Sequence, residues 1–341
     1  MPEPQIIPPI SPRTPRLGAR EAIACIFVAV IVLLVCEGPS IRRSGERMDP
    51  GPLRTVVLAV GHPAGWVADR LPFADLAHNL TAWLSPDDDL ASAAGGFQAV
   101  ASRSAPAVPP VTVDAFAPGA LGSPAAAPKR ALRHLLVTGD SMSMPLDAVL
   151  ARRLEDGKAV QVTREPHIGT GISKTGLVDW GKLSVRQVGA LHPDAVVVFI
   201  GANEGFPIAG AGGRELKCCT AGWAAAYAYR ARLMMNTYRR EGAARVYWLT
   251  LPLPRDGDRA KIARTVNAAI QVAAQPYLAQ VRVLDMAALF TPGGRYSDSI
   301  AVDGRQRLVR NADGIHLNEA GSELAADVVM RSLAGDFEDV R

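Results

Sequence analysis

The sequence predicts an α/β fold with an N-terminal membrane anchor ahead of it: a five-stranded parallel sheet covered by helices, in a flavodoxin-like three-layer α/β/α sandwich. Three observations predict it. From Ala131 onward short apolar runs alternate with longer amphipathic ones, the pattern of parallel strands joined by helical crossovers. Five such apolar runs occur, and five parallel strands with right-handed crossovers make this sheet. Ahead of that region, residues 22–35 are uninterruptedly apolar. With 48% hydrophobic and 21% charged residues over 341 positions, the chain has enough apolar material for a sizeable core, which excludes wholesale disorder.

Taken in order, residues 1–20 carry Arg13, Arg16 and Arg20 and are expected to be a cytoplasmic tail. Residues 21–37 are expected to span the membrane once. The run is shorter than the roughly 20 residues of a comfortable span, but Arg20 and Arg42 stand far enough apart to snorkel from either end. No small-x-small pair follows it as a signal peptidase prefers, so an uncleaved anchor is favoured, with the rest of the chain outside the cell membrane. Residues 38–90 read as a membrane-proximal helical segment, with Leu71, Phe73, Leu76, Leu80 and Leu84 at helical intervals. Residues 91–130 are dominated by Ala, Pro, Gly and Ser and read as a linker.

Residues 131–341 form the folded domain. Strands are expected at 132–138, 159–163, 195–200, 246–251 and 281–284. Helices are expected at 144–154, 223–240, 259–277 and 318–333, the third of them started by Asp258 and the last by an Asn cap. In such sheets ligands bind beyond the carboxyl ends of the strands. The first strand delivers Gly139-Asp140-Ser141, a serine at a strand-to-helix corner, where unpaired backbone N–H groups favour negative charge. The second is followed by Gly169-Thr170-Gly171-Ile172-Ser173-Lys174-Thr175-Gly176. A phosphate loop needs Gly where Ser173 stands and a dinucleotide fingerprint needs Gly where Lys174 stands, so nucleotide binding is discounted. The third leads to Gly201-Ala202-Asn203-Glu204; such an asparagine is commonly a turn residue, but its amide can also donate to a developing oxyanion.

Beyond the last strand comes Asp313-Gly314-Ile315-His316. Three residues apart in a turn or first helical turn, the carboxylate can accept from one ring nitrogen and leave the other free to take a proton from a serine. His62 and His78 belong to the membrane-proximal segment and His134 to the first strand, while His167 and His192 lack a carboxylate three residues earlier at a strand end.

Gly139-Asp140-Ser141, Gly171, Gly201-x-Asn203 and Asp313-x-x-His316, in that order and each at a strand end, resemble the four sequence blocks of the SGNH (GDSL) hydrolase superfamily. Asp179-Trp180, the Gly-Ala-Asn-Glu form of the third block and Arg310-x-x-Asp-Gly-Ile-His are similar to a bacterial membrane-anchored envelope subgroup. The resemblance implies Ser141 as nucleophile, His316 as general base and then acid, and Asp313 as the group that orients it. It implies an oxyanion hole from Ser141 N–H, Gly171 N–H and the Asn203 side chain, with Gly169 or Gly176 as alternatives to Gly171. Asp140 is expected to brace a loop, and neither metal nor cofactor is expected.

The expected activity is that of a serine esterase or acyl hydrolase working through an acyl-serine intermediate on O-acyl groups of envelope glycans. An O-acetyltransferase using the same triad and a non-catalytic glycan-binding module are the alternatives. Expected partners are an ester substrate, the membrane, and a membrane acyl-donor protein. Nucleic acid is not expected, since the net charge is only +4 and no basic run is interleaved with aromatics. Cys218-Cys219 either close a vicinal disulfide or remain two thiols, and residues 205–219 are long and Gly-rich enough to be a lid or an ordinary surface loop.

Overall fold

The computed structural model describes residues 96–341 apart from 105–107, 118, 120, 124–127, 156–159, 211–212 and 341, and before them residues 20, 55 and 59 alone. The chain divides into two compact units, Met1–Leu84 and Ser85–Arg341, and the architecture that follows is that of the second.

Strands β1 (His134–Gly139), β2 (Gln161–Pro166) and β3 (Ala195–Phe199) are followed by a short antiparallel pair, β4 (Ile208–Ala209) with β5 (Glu215–Leu216). Then come β6 (Arg245–Leu249), β7 (Val281–Leu284) and a second antiparallel pair, β8 (Ser299–Val302) with β9 (Arg305–Leu308). The larger sheet has the order β2-β1-β3-β6-β7 with every pairing parallel. Its central strands are buried on both faces: Leu135, Leu136 and Val137 of β1 and all of β3 are inaccessible to water, which is why they read as continuous apolar runs rather than alternating ones. Gly139 is level with Pro166 on one side and Phe199 on the other. The segments that leave β1, β2 and β3 therefore emerge together at one edge, where the strand order reverses.

The helices are α1 (Gly96–Ser104), α2 (Met144–Glu155), α3 (Trp180–Leu191), α4 (Ala221–Tyr238), α5 (Gly257–Ala274), the short α6 (Met286–Phe290) and α7 (Glu319–Asp336). They pack in two groups: α2 lies against α7, while α3, α4 and α5 lie side by side with α1 against α3 and α4. Capping side chains start them. Asp179 accepts from Gly181 N and Lys182 N ahead of α3, Thr220 from Trp223 N ahead of α4, and Asn318 from Gly321 N ahead of α7, each satisfying amides that have no partner within the helix. At α5 the cap is Asp256, whose Oδ1 accepts from Arg259 N at 2.9 Å. The expected Asp258 lies inside the first turn, where a carboxylate still favours the helix dipole.

The expectation is corrected at several points. Two antiparallel pairs accompany the parallel sheet. Among the described residues no helix is long and apolar enough to cross a membrane, which removes the N-terminal anchor from the fold as described; the run at 21–37 that suggested it lies outside the described residues, as does nearly all of 1–20 and 38–90. The single-pass topology, the cell-membrane location and the membrane and acyl-donor partners depend on that anchor and fall with it. Within the expected linker, α1 buries Phe97 and Val100, and Val108 is buried beyond it. Arg232 on α4 donates to the carbonyls of Pro109 and Pro110, both at 2.9 Å, and to those of Val272 and Ala273 at 2.7 and 3.2 Å.

Gly139 shows how tightly β1 and β3 end together. Its φ is +148°, and a Cβ there would lie 2.0 Å from the carbonyl oxygen of Phe199. Gly139→Ala is expected to destabilise the protein by about 3 kcal/mol, the upper cost of a residue forced into a sparsely allowed backbone region. Urea unfolding of the full chain checks this, and an unchanged midpoint would show that the strand ends can part.

Candidate active site

The first element of the site is the turn after β1. Ser141–Ser143 form a single 3₁₀ turn whose cap is Asp140: its Oδ1 accepts from Met142 N at 2.9 Å, and Ser143 Oγ donates to its carbonyl at 2.8 Å. The Asp140 side chain is fully buried. Its second oxygen accepts from the amides of Gly201 at 2.9 Å and Ala202 at 2.7 Å, beyond the end of β3. Burial pushes this carboxyl up from its ordinary range, against the pull of those three amides. Asp140 is thus a brace between two strand ends, which frees the neighbouring Ser141 hydroxyl for other contacts.

The second element is the loop between β9 and α7. Arg310 is buried and donates to the carbonyls of Ile315 at 2.7 Å and Leu253 at 3.0 Å, tying the loop to the segment after β6. Asn311 N donates to His316 O at 2.9 Å and closes the loop on itself. Asp313 and His316 therefore sit in a closed turn before α7, not in its first helical turn. His316 Nε2 lies 2.8 Å from Ser141 Oγ, and His316 Nδ1 lies 2.6 Å from Asp313 Oδ2. The other Asp313 oxygen accepts from the amides of Ile315 at 2.8 Å and His316 at 3.1 Å. Burial raises the Asp313 carboxyl, but the imidazole hydrogen bond and those two amides outweigh it and hold the group down at about 2. With Asp313 an acceptor on Nδ1–H, Nε2 is left to accept from the serine hydroxyl.

The third element joins the segments after β2 and β3. Asn203 Nδ2 donates to the carbonyl of Thr170 at 3.2 Å and stands 3.5 Å from Asp140 Oδ2. Gly171 is buried next to it. Of the alternative glycines, Gly169 has its carbonyl taken by Lys174 Nζ at 2.8 Å and Gly176 is exposed. The residue that sequence reasoning passed over is Glu204. Its buried carboxylate accepts from Ile172 N at 2.7 Å, from Ser173 N at 2.8 Å, from the Ser173 hydroxyl, and from Tyr227 OH at 3.1 Å. Burial raises this carboxyl as well, opposed by the Ser173 and Ile172 hydrogen bonds. Its only signal in the sequence is an acidic residue beside Asn203.

An apolar recess opens beside these residues, between Met142, Leu251, Pro252, Ile262 and Ile315, with Arg259 at its side donating to Ala202 O at 3.0 Å. An open groove runs past Asn203 toward Lys174, Phe206 and Pro207. The stretch 205–219 carries the β4–β5 pair and a disulfide between Cys218 and Cys219. Among the described residues, no three His, Cys, Asp or Glu side chains are grouped as metal ligands would be.

The chain is similar in structure to the C-terminal catalytic domain of peptidoglycan O-acetyltransferase A from Streptococcus pneumoniae, at 14% identity and a TM-score of 0.38 over 62% of this chain and 97% of that one. It is similar to the lipase Lip_vut3 from a goat rumen metagenome, at 12% identity and a TM-score of 0.37 over 59% and 97%. A member of the lipolytic protein G-D-S-L family from Veillonella parvula matches at 15% identity and a TM-score of 0.34 over 58% and 97%. Likenesses of this degree assign neither activity nor substrate. No curated protein matches the chain. The family model described as Protein of unknown function (DUF459) matches residues 134–332, more than half of the chain, and the chain belongs to that family.

Proposed function

We propose that the chain is a serine esterase that works through an acyl-serine intermediate. The observation that carries this reading is the continuous hydrogen-bonded series from Ser141 Oγ through the His316 ring to Asp313. Ser141 Oγ attacks the ester carbonyl while His316 Nε2 takes its proton, and the Asp313 carboxylate fixes the ring and offsets the charge the imidazole acquires. The tetrahedral oxyanion is met by the amides of Ser141 and Gly171 and by the Asn203 side chain. Asn203 has one amide hydrogen committed to Thr170; the other faces Asp140 at the long distance of 3.5 Å and is the one that turns to the oxyanion. His316 then protonates the departing alcohol. Water, activated by the same imidazole, releases the acid.

Hydrolysis of p-nitrophenyl acetate tests this. Ser141→Ala is expected to lower kcat by about 10³-fold or more, and undiminished turnover in that variant would remove Ser141 as the nucleophile.

Asp313 adds a pH-dependent test. Its carboxyl is held at about 2 against an ordinary value of 3.8. A depressed carboxyl stabilises the folded state fully above the ordinary value and ceases to do so as pH falls through the depressed one. Asp313→Asn is therefore expected to lower the urea midpoint at pH 6 and to reduce the stability lost between pH 4 and pH 2, together with a fall of about 10⁴ in kcat at neutral pH. Equal acid sensitivity in the two proteins would show that the hydrogen bonds to the Asp313 carboxylate do not form in solution.

A further inference from the structure

We infer that Glu204 is a positioning residue that sets the place of the Gly171 amide, an inference that rests on the esterase reading of Ser141. A carboxylate taken out of water is costly unless hydrogen bonds replace its hydration. Glu204 is 6% exposed, and its two oxygens accept four donors: Ile172 N, Ser173 N, the Ser173 hydroxyl and Tyr227 OH. Three of the four come from the two residues that follow Gly171. Gly171 itself lies against the carboxyl, since a Cβ on it would be 3.1 Å from Glu204 Cδ and Oε1. On the other side of the glycine, the Thr170 carbonyl accepts from Asn203 Nδ2 at 3.2 Å. The dipeptide Asn203-Glu204 thus grips the chain immediately before and immediately after Gly171.

The grip is backed by one face of α4. Trp223, Tyr227 and Arg230 are spaced at i, i+4 and i+7, which places them in line on a helix. Trp223 Nε1 donates to Phe206 O at 2.8 Å, Tyr227 OH to Glu204 Oε1, and Arg230 to Ile172 O at 2.9 Å. One rigid element therefore holds both the segment after β3 and the segment after β2. An oxyanion donor has to be fixed to about half an ångström to act, and a loop with two backbone amides on one buried carboxylate meets that demand. Glu204 touches neither substrate nor reacting atom in this scheme; it acts through Gly171.

The test compares the full-length protein with Glu204→Gln, which sets an amide NH₂ against donors that need an acceptor. Turnover of p-nitrophenyl acetate and inhibition by phenylboronic acid, which forms a tetrahedral adduct on a reactive serine, are measured together. The expected result is a kcat lower by about 10–100-fold, KM within about twofold of the wild type, and a Ki for the boronic acid raised by a factor similar to the kcat loss. A residue that merely stabilised the fold would shift the urea midpoint and leave that split absent. Should Glu204→Gln fail to fold, the double variant Ser173→Ala, Tyr227→Phe removes two donors and keeps the carboxylate, and it is expected to lower kcat and boronate affinity together. Ser141-dependent turnover that these variants leave unchanged overturns the inference alone. Turnover persisting in Ser141→Ala overturns the esterase reading and this inference with it.

Discussion

The carboxylate of Asp140 joins the two loops that leave β1 and β3, beyond the last paired residues Gly139 and Phe199. Parallel strands are held along their length by the ladder, but beyond β1 and β3 the ladder stops and the chain turns away into loops. Burying a carboxylate costs several kcal/mol, and at Asp140 that cost is offset by three amides, from Met142 on one loop and from Gly201 and Ala202 on the other. The position of Ser141 follows from this. Its neighbour is anchored on both sides, so the serine hydroxyl projects from a corner tied to both loops.

The loop that brings His316 to the serine is held by a different device. Within it the Asp313 carboxylate accepts from the amides of Ile315 and His316. The guanidinium of Arg310, buried among Leu253 O, Ile315 O and the Tyr296 ring, donates to backbone carbonyls and ties the loop to the segment after β6. Burial pushes it down to about 10, so it stays cationic at neutral pH, with the nearby Tyr296 and Asp313 favouring the charge. Arg255 extends the arrangement, donating to Ala312 O and Tyr296 OH. A charge with several acceptors in fixed directions can specify a loop conformation that no regular secondary structure would impose.

Much of this is legible in the sequence, and what is not has identifiable physical causes. The buried strands β1, β3 and β6 announce themselves because burial on both faces keeps their centres apolar, as in Leu135-Leu136-Val137 and throughout β3, and the nearness of Asp313 to His316 follows from local spacing. Helix α3 is harder: its buried residues are Trp180, Gly181, Leu183, Ser184 and Gln187, so polar and small side chains break the apolar stripe. The two-residue strands β4 and β5 are too short to show any period. Glu204 stands in the Gly-Ala-Asn-Glu run, but its role cannot be read there, because its partners lie at Ile172, Ser173 and Tyr227, more than 20 residues away on either side. Long-range polar networks leave no periodic trace. The anchor shows the opposite failure, an apolar run from which topology, location and partners were all argued, and which no described helix repeats.

The docking of α1 and the prolines after it changes where the folded body begins. Composition alone would cut the chain near Ala131, yet Phe97, Val100 and Val108 are inside, Gly96 N is held by Asp179 at 3.0 Å, and Gly122 N by Gln275 at 2.7 Å. A recombinant fragment trimmed at 131 would strip Arg232 of two of its four carbonyl acceptors and leave a greasy scar along α3 and α4, the latter being the same helix whose other side chains hold the segments after β2 and β3. Stickiness in such a fragment would be a fault of the scissors and not of the protein.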